Sequence, residues 1–239
     1  MARTIVVAII ALMAFTAEAG PPYVTDDPAP TDHHHWENFY FVNVTRAADS
    51  TSGAAGLDLN YGAAEGLQLT LVLPTEFERT SKTRWQSGDV ELAAKYRLPS
   101  AASDRSPDIA FFPRIFIPTD HAESSHVSVL LPVWIGKEGA SWNWFGGGGY
   151  LINPGEGNRN AWLSGLALTR SIGERMHVGL EIYHQTAQTE DSQSFTGVNA
   201  GVDYKLSKHW SLLASFGPGI QHARQEGQYN GYLSFKAEY

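Results

Sequence analysis

The chain has 239 residues, a formal net charge of −8, a sequence pI near 5.5, 12% aromatic and only 18% charged residues, and no cysteine. That length fits one domain of substantial size. The acidic balance argues against nucleic acid as a partner and against a basic membrane-surface module, and the missing cysteine excludes disulfides, thiol nucleophiles and thiolate metal sites.

Met1-Ala2-Arg3-Thr4 is followed by an apolar run from Ile5 to Phe15 and then by Ala17-Glu18-Ala19. A positive start, a short apolar segment and a small-x-small site predict a signal peptide over 1–19, cleaved to leave Gly20 first. Residues 20–36 form a polar leader with Pro21, Pro22, Pro28 and Pro30. Prolines so closely spaced prevent a helix or a regular ladder. The leader is expected at the periplasmic mouth or as a plug in the pore. No later stretch approaches the ~20 apolar residues of a membrane helix. If residues 37–239 cross a membrane, they must do so as a closed barrel.

A period of two, with unlike faces, recurs from there to the end. Strands are predicted at about Glu37 to Thr45, Ala54 to Ala63 and Leu67 to Leu73. Residues 76–88 read as a long charged loop. Asp89 to Leu98 alternates most cleanly, with Val90, Leu92, Ala94, Tyr96 and Leu98 opposite Glu91, Lys95 and Arg97. Asp108 to Ile117 carries Pro113, which predicts a break or bulge because it removes a ladder hydrogen bond. Further strands follow at Val127 to Ile135, Ser141 to Ile152, Ala161 to Thr169, Val178 to Tyr183, Val198 to Leu206, Trp210 to Ile220 and Tyr229 to Tyr239. Tight turns at 64–66, 137–139, 171–174 and 207–209 alternate with longer polar connections at 47–53, 76–88, 118–125, 153–160, 189–194 and 221–228. The 99–107 connection is long on the short side. An even count of about twelve strands with alternating loop lengths predicts an all-β, antiparallel up-and-down transmembrane barrel.

In such a barrel the apolar parity faces lipid and the polar parity faces the lumen. The lumen-lining candidates are then Glu37, Asp58, Glu91, Lys95, Arg97, Arg114, Glu181, Asp203, Lys205 and Lys236. They either set solute preference or pair with one another to hold a narrow barrel together. Trp134, Trp142, Trp144, Trp162 and Trp210 lie near strand ends, where interfacial girdles use them. The glycines at 146–149 lack the Lys and Ser/Thr of a phosphate loop and instead suit close approach of a large neighbour or the leader. Adjacent side chains of His33-His34-His35 point different ways on an extended chain, so no metal site is assigned. Ser125 with His126, or His184 with Ser192, is the material available for a rim hydrolase, without a recognisable constellation. No catalytic residue and no cofactor is assigned. The last strand ends on an aromatic residue, and Phe235 and Tyr239 are expected to act as the assembly signal.

Gly20-Pro21-Pro22-Tyr23-Val24-Thr25-Asp26-Asp27-Pro28, then His35-Trp36-Glu37, resembles the mature amino terminus of the outer-membrane transporters related to the phenol-degradation meta-pathway (MetA-like) proteins. Leu73-Pro74, the stretch Gly88-Asp89-Val90-Glu91-Leu92-Ala93-Ala94-Lys95-Tyr96 and the C-terminal strand agree with it. The resemblance implies an outer-membrane barrel of a Gram-negative bacterium that helps small, often hydrophobic, molecules across. The implied partners are outer-membrane lipid, the barrel-assembly machinery and a small-molecule solute. The competing readings are a sealed structural or interaction barrel and the rim hydrolase.

Overall fold

The computed structural model describes residues 22–99, 106–119 and 126–239. The predicted signal peptide, Pro21 and Ser125 lie outside them, as does most of the expected 99–107 and 118–125 connections. The strands are β1 (Trp36–Arg46), β2 (Thr51–Ala64), β3 (Leu67–Arg79), β4 (Thr83–Ser87), β5 (Val90–Arg97), β6 (Asp108–Phe111), β7 (Arg114–Ile117), β8 (Ser128–Lys137), β9 (Trp142–Ile152), β10 (Ala161–Ile172), β11 (Met176–Gln185), β12 (Phe195–Lys205), β13 (Trp210–Gln221) and β14 (Tyr229–Glu238). A single-turn helix α1 (Ala223–Glu226) sits between β13 and β14.

Every pairing between these strands is antiparallel, and β1 pairs with β14 from Glu37 opposite Glu238 to Arg46 opposite Tyr229. The ring is therefore closed. Segments β4 and β5 follow one another along β3, and β6 and β7 do so along β8, so the fourteen segments build a barrel of twelve strands. The break between β6 and β7 falls at Phe112-Pro113, where the sequence predicts it. The local backbone stays satisfied there: Pro113 O accepts from Ala94 N at 3.2 Å, and Phe112 N donates to Pro132 O at 3.1 Å.

Residues 76–88 depart from expectation. They are not a loop but a hairpin extending β3 into β4, with Phe77 opposite Trp85. Strand β4 is exposed throughout, so no buried face imposed an alternation that the sequence could display. The first outer connection also shrinks, because β2 already starts at Thr51.

The outside of the barrel is apolar. Leu69, Leu92, Ile115, Leu166, Leu168, Leu180, Ile182 and Leu233 are all exposed. Aromatic residues flank this band in two belts. Trp36 packs on Tyr61 at 4.8 Å, with Trp142, Trp144 and Trp210 exposed at the same end. At the other end Tyr150 meets Trp162 at 4.9 Å and Phe77 meets Trp85 at 5.1 Å. Strands of 10 to 14 residues such as β8 and β2, at roughly 3.3 Å per residue and a tilt of about 40°, rise roughly 25 Å or more, the height of an outer-membrane apolar band. Among the described residues no helix is long and apolar enough to cross a membrane.

Trp134 corrects the girdle expectation. It is 1% exposed and lies inside the barrel with Phe112, Phe116, Leu130, Leu151, Ala161 and Leu163. One inner wall is thus apolar, while the wall of β1 to β3 mixes polar side chains with a smaller apolar cluster of Phe41, Ala54 and Val72. A Cβ on Gly147 would collide with Val133 O and lie 3.1 Å from the Trp134 ring, so this glycine accommodates the neighbouring strand β8 rather than the leader.

Candidate functional site

The site is the lumen, and the leader runs through it. Residues 31–35 enter at the end with the short turns. His33 bridges to Gly62, and His34 N donates to Gly62 O at 2.8 Å. Thr31 N and its hydroxyl both donate to Gln68 Oε1, at 2.8 and 3.0 Å. Deeper in, Asp26 is 1% exposed and takes Lys95 Nζ on Oδ1 at 3.0 Å, while the same ammonium reaches Ala29 O at 3.4 Å. Thr25 N donates to Glu181 Oε1, and Ser215 Oγ donates to Pro22 O.

Three strands are cut back to glycine where the leader lies closest. A Cβ on Gly165 would collide with the Thr25 hydroxyl, and one on Gly201 would stand 2.6 Å from the Tyr23 ring. Gly179 faces the Tyr23 hydroxyl in the same way. These are inward positions of β10, β11 and β12. Side chains there would occupy the space the leader fills, which is a physical reason for glycine in strands that otherwise disfavour it.

The leader separates two spaces. On the periplasmic side a chamber of about 170 Å³ is lined by Asp26, Asp27, Glu37, Asp58, Glu91, Lys95, Arg114, Asp203 and Lys236, among others. On the outer side a vestibule of about 210 Å³ has Pro22, Tyr23 and Val24 in its lining, with Tyr183, Phe195, Asn199, Ser215, Asn230 and Tyr232.

Most of the lumen candidates meet in the chamber, and most of their charges are paired. Arg114 grips Glu91 with two bonds of 2.7 Å, both side chains buried. Lys236 sits 3.3 Å from Glu37 and 3.2 Å from Glu238. Asp58 accepts from Asn60 at 2.8 Å, and Glu181 accepts from Asn199 at 2.9 Å. Phe112 joins the polar wall to the apolar one, with Lys95 4.9 Å and Arg114 5.5 Å from its ring centre. Arg97 and Lys205 share the inward parity but are exposed at the periplasmic ends of β5 and β12, so they belong to the rim rather than to the chamber. The sequence could have shown this, since each stands last in its strand.

Phe235 faces outward from β14 and is exposed. Tyr239 exchanges backbone hydrogen bonds with Trp36, at 2.6 and 3.1 Å, and its hydroxyl accepts from Asn38 at 2.9 Å, so it fastens the closing seam. His33 stacks on His34 with centroids 3.7 Å apart, and His35 Nδ1 lies 3.1 Å from His33 O. His184 pairs with Thr196 at 2.8 Å, while Ser192 bonds within its own turn to Thr189. Each partner of that hydrolase pair is thus engaged elsewhere.

Residues 31–237 match the family described as "Putative MetA-pathway of phenol degradation". The chain belongs to this family. It is an outer-membrane β-barrel of the Gram-negative type, in line with its apolar outer band and aromatic belts. Among solved structures, an outer membrane channel from Pseudomonas putida F1 aligns over 89% of this chain and 98% of that one, at 14% identity and a TM-score of 0.69. The NanC porin aligns over 85% of this chain and 98% of its own, at 9% identity and a TM-score of 0.56. The translocator domain of the autotransporter NalP from Neisseria meningitidis aligns over 87% and 89%, at 10% identity and a TM-score of 0.50. At these identities the likeness is one of fold. No curated protein matches the chain. The match begins at Thr31, so the deepest part of the leader lies ahead of the matched residues.

Proposed function

We propose that this barrel passes small solutes across the outer membrane through its lumen, and that residues 22–35 are an internal plug that restricts the passage. One observation carries the reading: the leader lies between an outer vestibule and a periplasmic chamber and is tied mainly by polar contacts. A plug meant as permanent core would bury a large apolar surface. This one places Val24 on the apolar wall and Tyr23 against glycines, and is otherwise anchored by the Lys95–Asp26 ion pair and by hydrogen bonds. Polar ties of this kind exchange with water at small net cost. The chamber side chains Glu37, Asp58, Glu91, Lys95, Arg114, Asp203 and Lys236, with Glu181 above them, act as its charge-setting wall.

Planar-bilayer recording of purified protein tests this. The full chain should give small discrete conductance steps, and deletion of Pro21 to Asp32 should raise them severalfold. Ion preference should change in Arg114→Ala and in Glu181→Ala. Silence from both the full and the shortened protein, each shown folded by its heat-dependent gel shift, would favour a sealed structural barrel.

A further inference from the structure

The geometry points to the outer vestibule as a binding site for small, uncharged, hydroxyl-bearing ring compounds. This deepens the channel reading and rests on it for the biological role, but the site itself can be measured without transport. Among the described residues, the vestibule lining contains no Lys, Arg or His, and its charged members there are Glu78 and Glu226. The rest is dominated by amides, hydroxyls and aromatic rings. Such a wall has nothing to neutralise a carboxylate or a phosphate, and removing an anion from water without a partner is costly.

Two amides give the site its specificity. Asn199 is 5% exposed, and its Nδ2 is fixed by donation to Glu181 at 2.9 Å. Its Oδ1 is thereby left as a buried acceptor with no partner in the protein. Asn230 has the opposite arrangement. Its Oδ1 accepts from Thr45 at 3.0 Å, which leaves Nδ2 as a buried donor without a partner. The two residues stand on β12 and β14, on either side of Gly217 of β13. Gly217 pairs with Asn230, and a Cβ on it would collide with Val198 O and lie 2.8 Å from the Asn199 Cα, so the β12 backbone comes close to β13 here. β13 therefore sends no side chain into the slot between one fixed acceptor and one fixed donor. Strands two apart in a sheet are about 10 Å from each other, a separation that a ring with two hydroxyls can bridge.

Phe195 and Tyr183 form an aromatic corner beside the slot, with ring centroids 5.8 Å apart and planes tilted by 58°. A hydroxyl both donates and accepts, so one ring with two hydroxyls satisfies both asparagines while its apolar face packs on one ring of the corner and its edge on the other. Buried polar atoms left without partners reject solutes that cannot supply those bonds, which makes the pair selective as well as attractive.

The test is calorimetric titration of the full chain in lauryldimethylamine oxide, a detergent without a sugar head group. The probes are glucose, its carboxylate analogue glucuronate, and catechol. One or both neutral probes should bind, and the comparison of glucose with catechol tells a saccharide from an aromatic alcohol as the source of the ring. Asn199→Ala and Asn230→Ala should each weaken that binding about fivefold or more, the loss of one hydrogen bond at a buried group. Glucuronate should bind at least about tenfold more weakly than glucose. If an alanine variant fails its gel-shift folding check, Asn230→Ser replaces it. No binding by either neutral probe, equal binding of glucuronate, or indifference to both asparagine changes overturns the site. Binding without any passage in liposome swelling would sink the channel reading and leave the site standing.

Discussion

The Lys95–Asp26 pair is the strongest single tie between the leader and the wall, and its removal has a calculable effect. The nitrogen–oxygen distance is 3.0 Å, and the side chains are 6% and 1% exposed. Removing one member of a buried ion pair costs about 3–5 kcal/mol, because the remaining charge is left unpaired in a poorly hydrated site. In Lys95→Ala the stranded charge is Asp26, and it can escape the penalty by leaving with the leader. In the deep part of the leader the other polar ties are the Thr25–Glu181 and Ser215–Pro22 hydrogen bonds, and nearer the mouth come two from Thr31 to Gln68 and those between residues 34–35 and Gly62. Neutral bonds of this kind contribute about 1 kcal/mol each and a charge-assisted one about 1.5–3. The lost pair is therefore comparable with the other two polar ties of the deep leader, Thr25–Glu181 and Ser215–Pro22, taken together. At 1.4 kcal/mol per tenfold, 3–5 kcal/mol shifts the released-to-plugged ratio by roughly two to three and a half orders of magnitude. Bilayer conductance of Lys95→Ala should approach that of the leader-deleted protein. The double variant Asp26→Ala/Lys95→Ala should open less than Lys95→Ala alone, because no charge is stranded. If folded Lys95→Ala conducts no better than the unaltered protein, or the double variant opens more, the ion pair is not the latch.

Two further expectations concern the wall. Gly201→Val places a side chain where Tyr23 lies, within 2.6 Å of its ring by the first atom alone, and overpacking of about 1–3 kcal/mol should raise the released-to-plugged ratio by roughly fivefold to a hundredfold. Gly231→Val is the control: its nearest foreign atom is 3.5 Å away on Phe216, so conductance should not change, and equal effects of the two valines would remove Tyr23 from the argument. Deleting Phe235 to Tyr239 breaks the β1–β14 seam across Glu37–Tyr40, leaves backbone groups unpaired at membrane depth, and should abolish the heat-dependent gel shift and membrane insertion. Normal insertion of the truncated chain would refute that role.

What could be read from the chain depended on whether a physical constraint acted at every second residue. In β5, lipid on one side and water or charge on the other left Val90, Leu92, Ala94 and Tyr96 opposite Glu91 and Lys95, and the strand is legible from composition alone. In β8 the constraint is weaker, because its inner face meets the apolar lumen wall. Leu130 and Trp134 point inward while Val129, Leu131 and Val133 point to lipid, so hydrophobicity does not distinguish the faces. The one cue was chemical: Ser128, Pro132 and Gly136 share the inward parity with Trp134. At the outer end of the barrel, β4 has no buried face and leaves no pattern. The leader is the least legible part, because its contacts are single bonds to distant residues with no period. Even so, its seat was written in the strands. Gly165, Gly179 and Gly201 occupy inward positions on three successive strands, and a row of missing side chains on the inside of a barrel requires something else to fill the space.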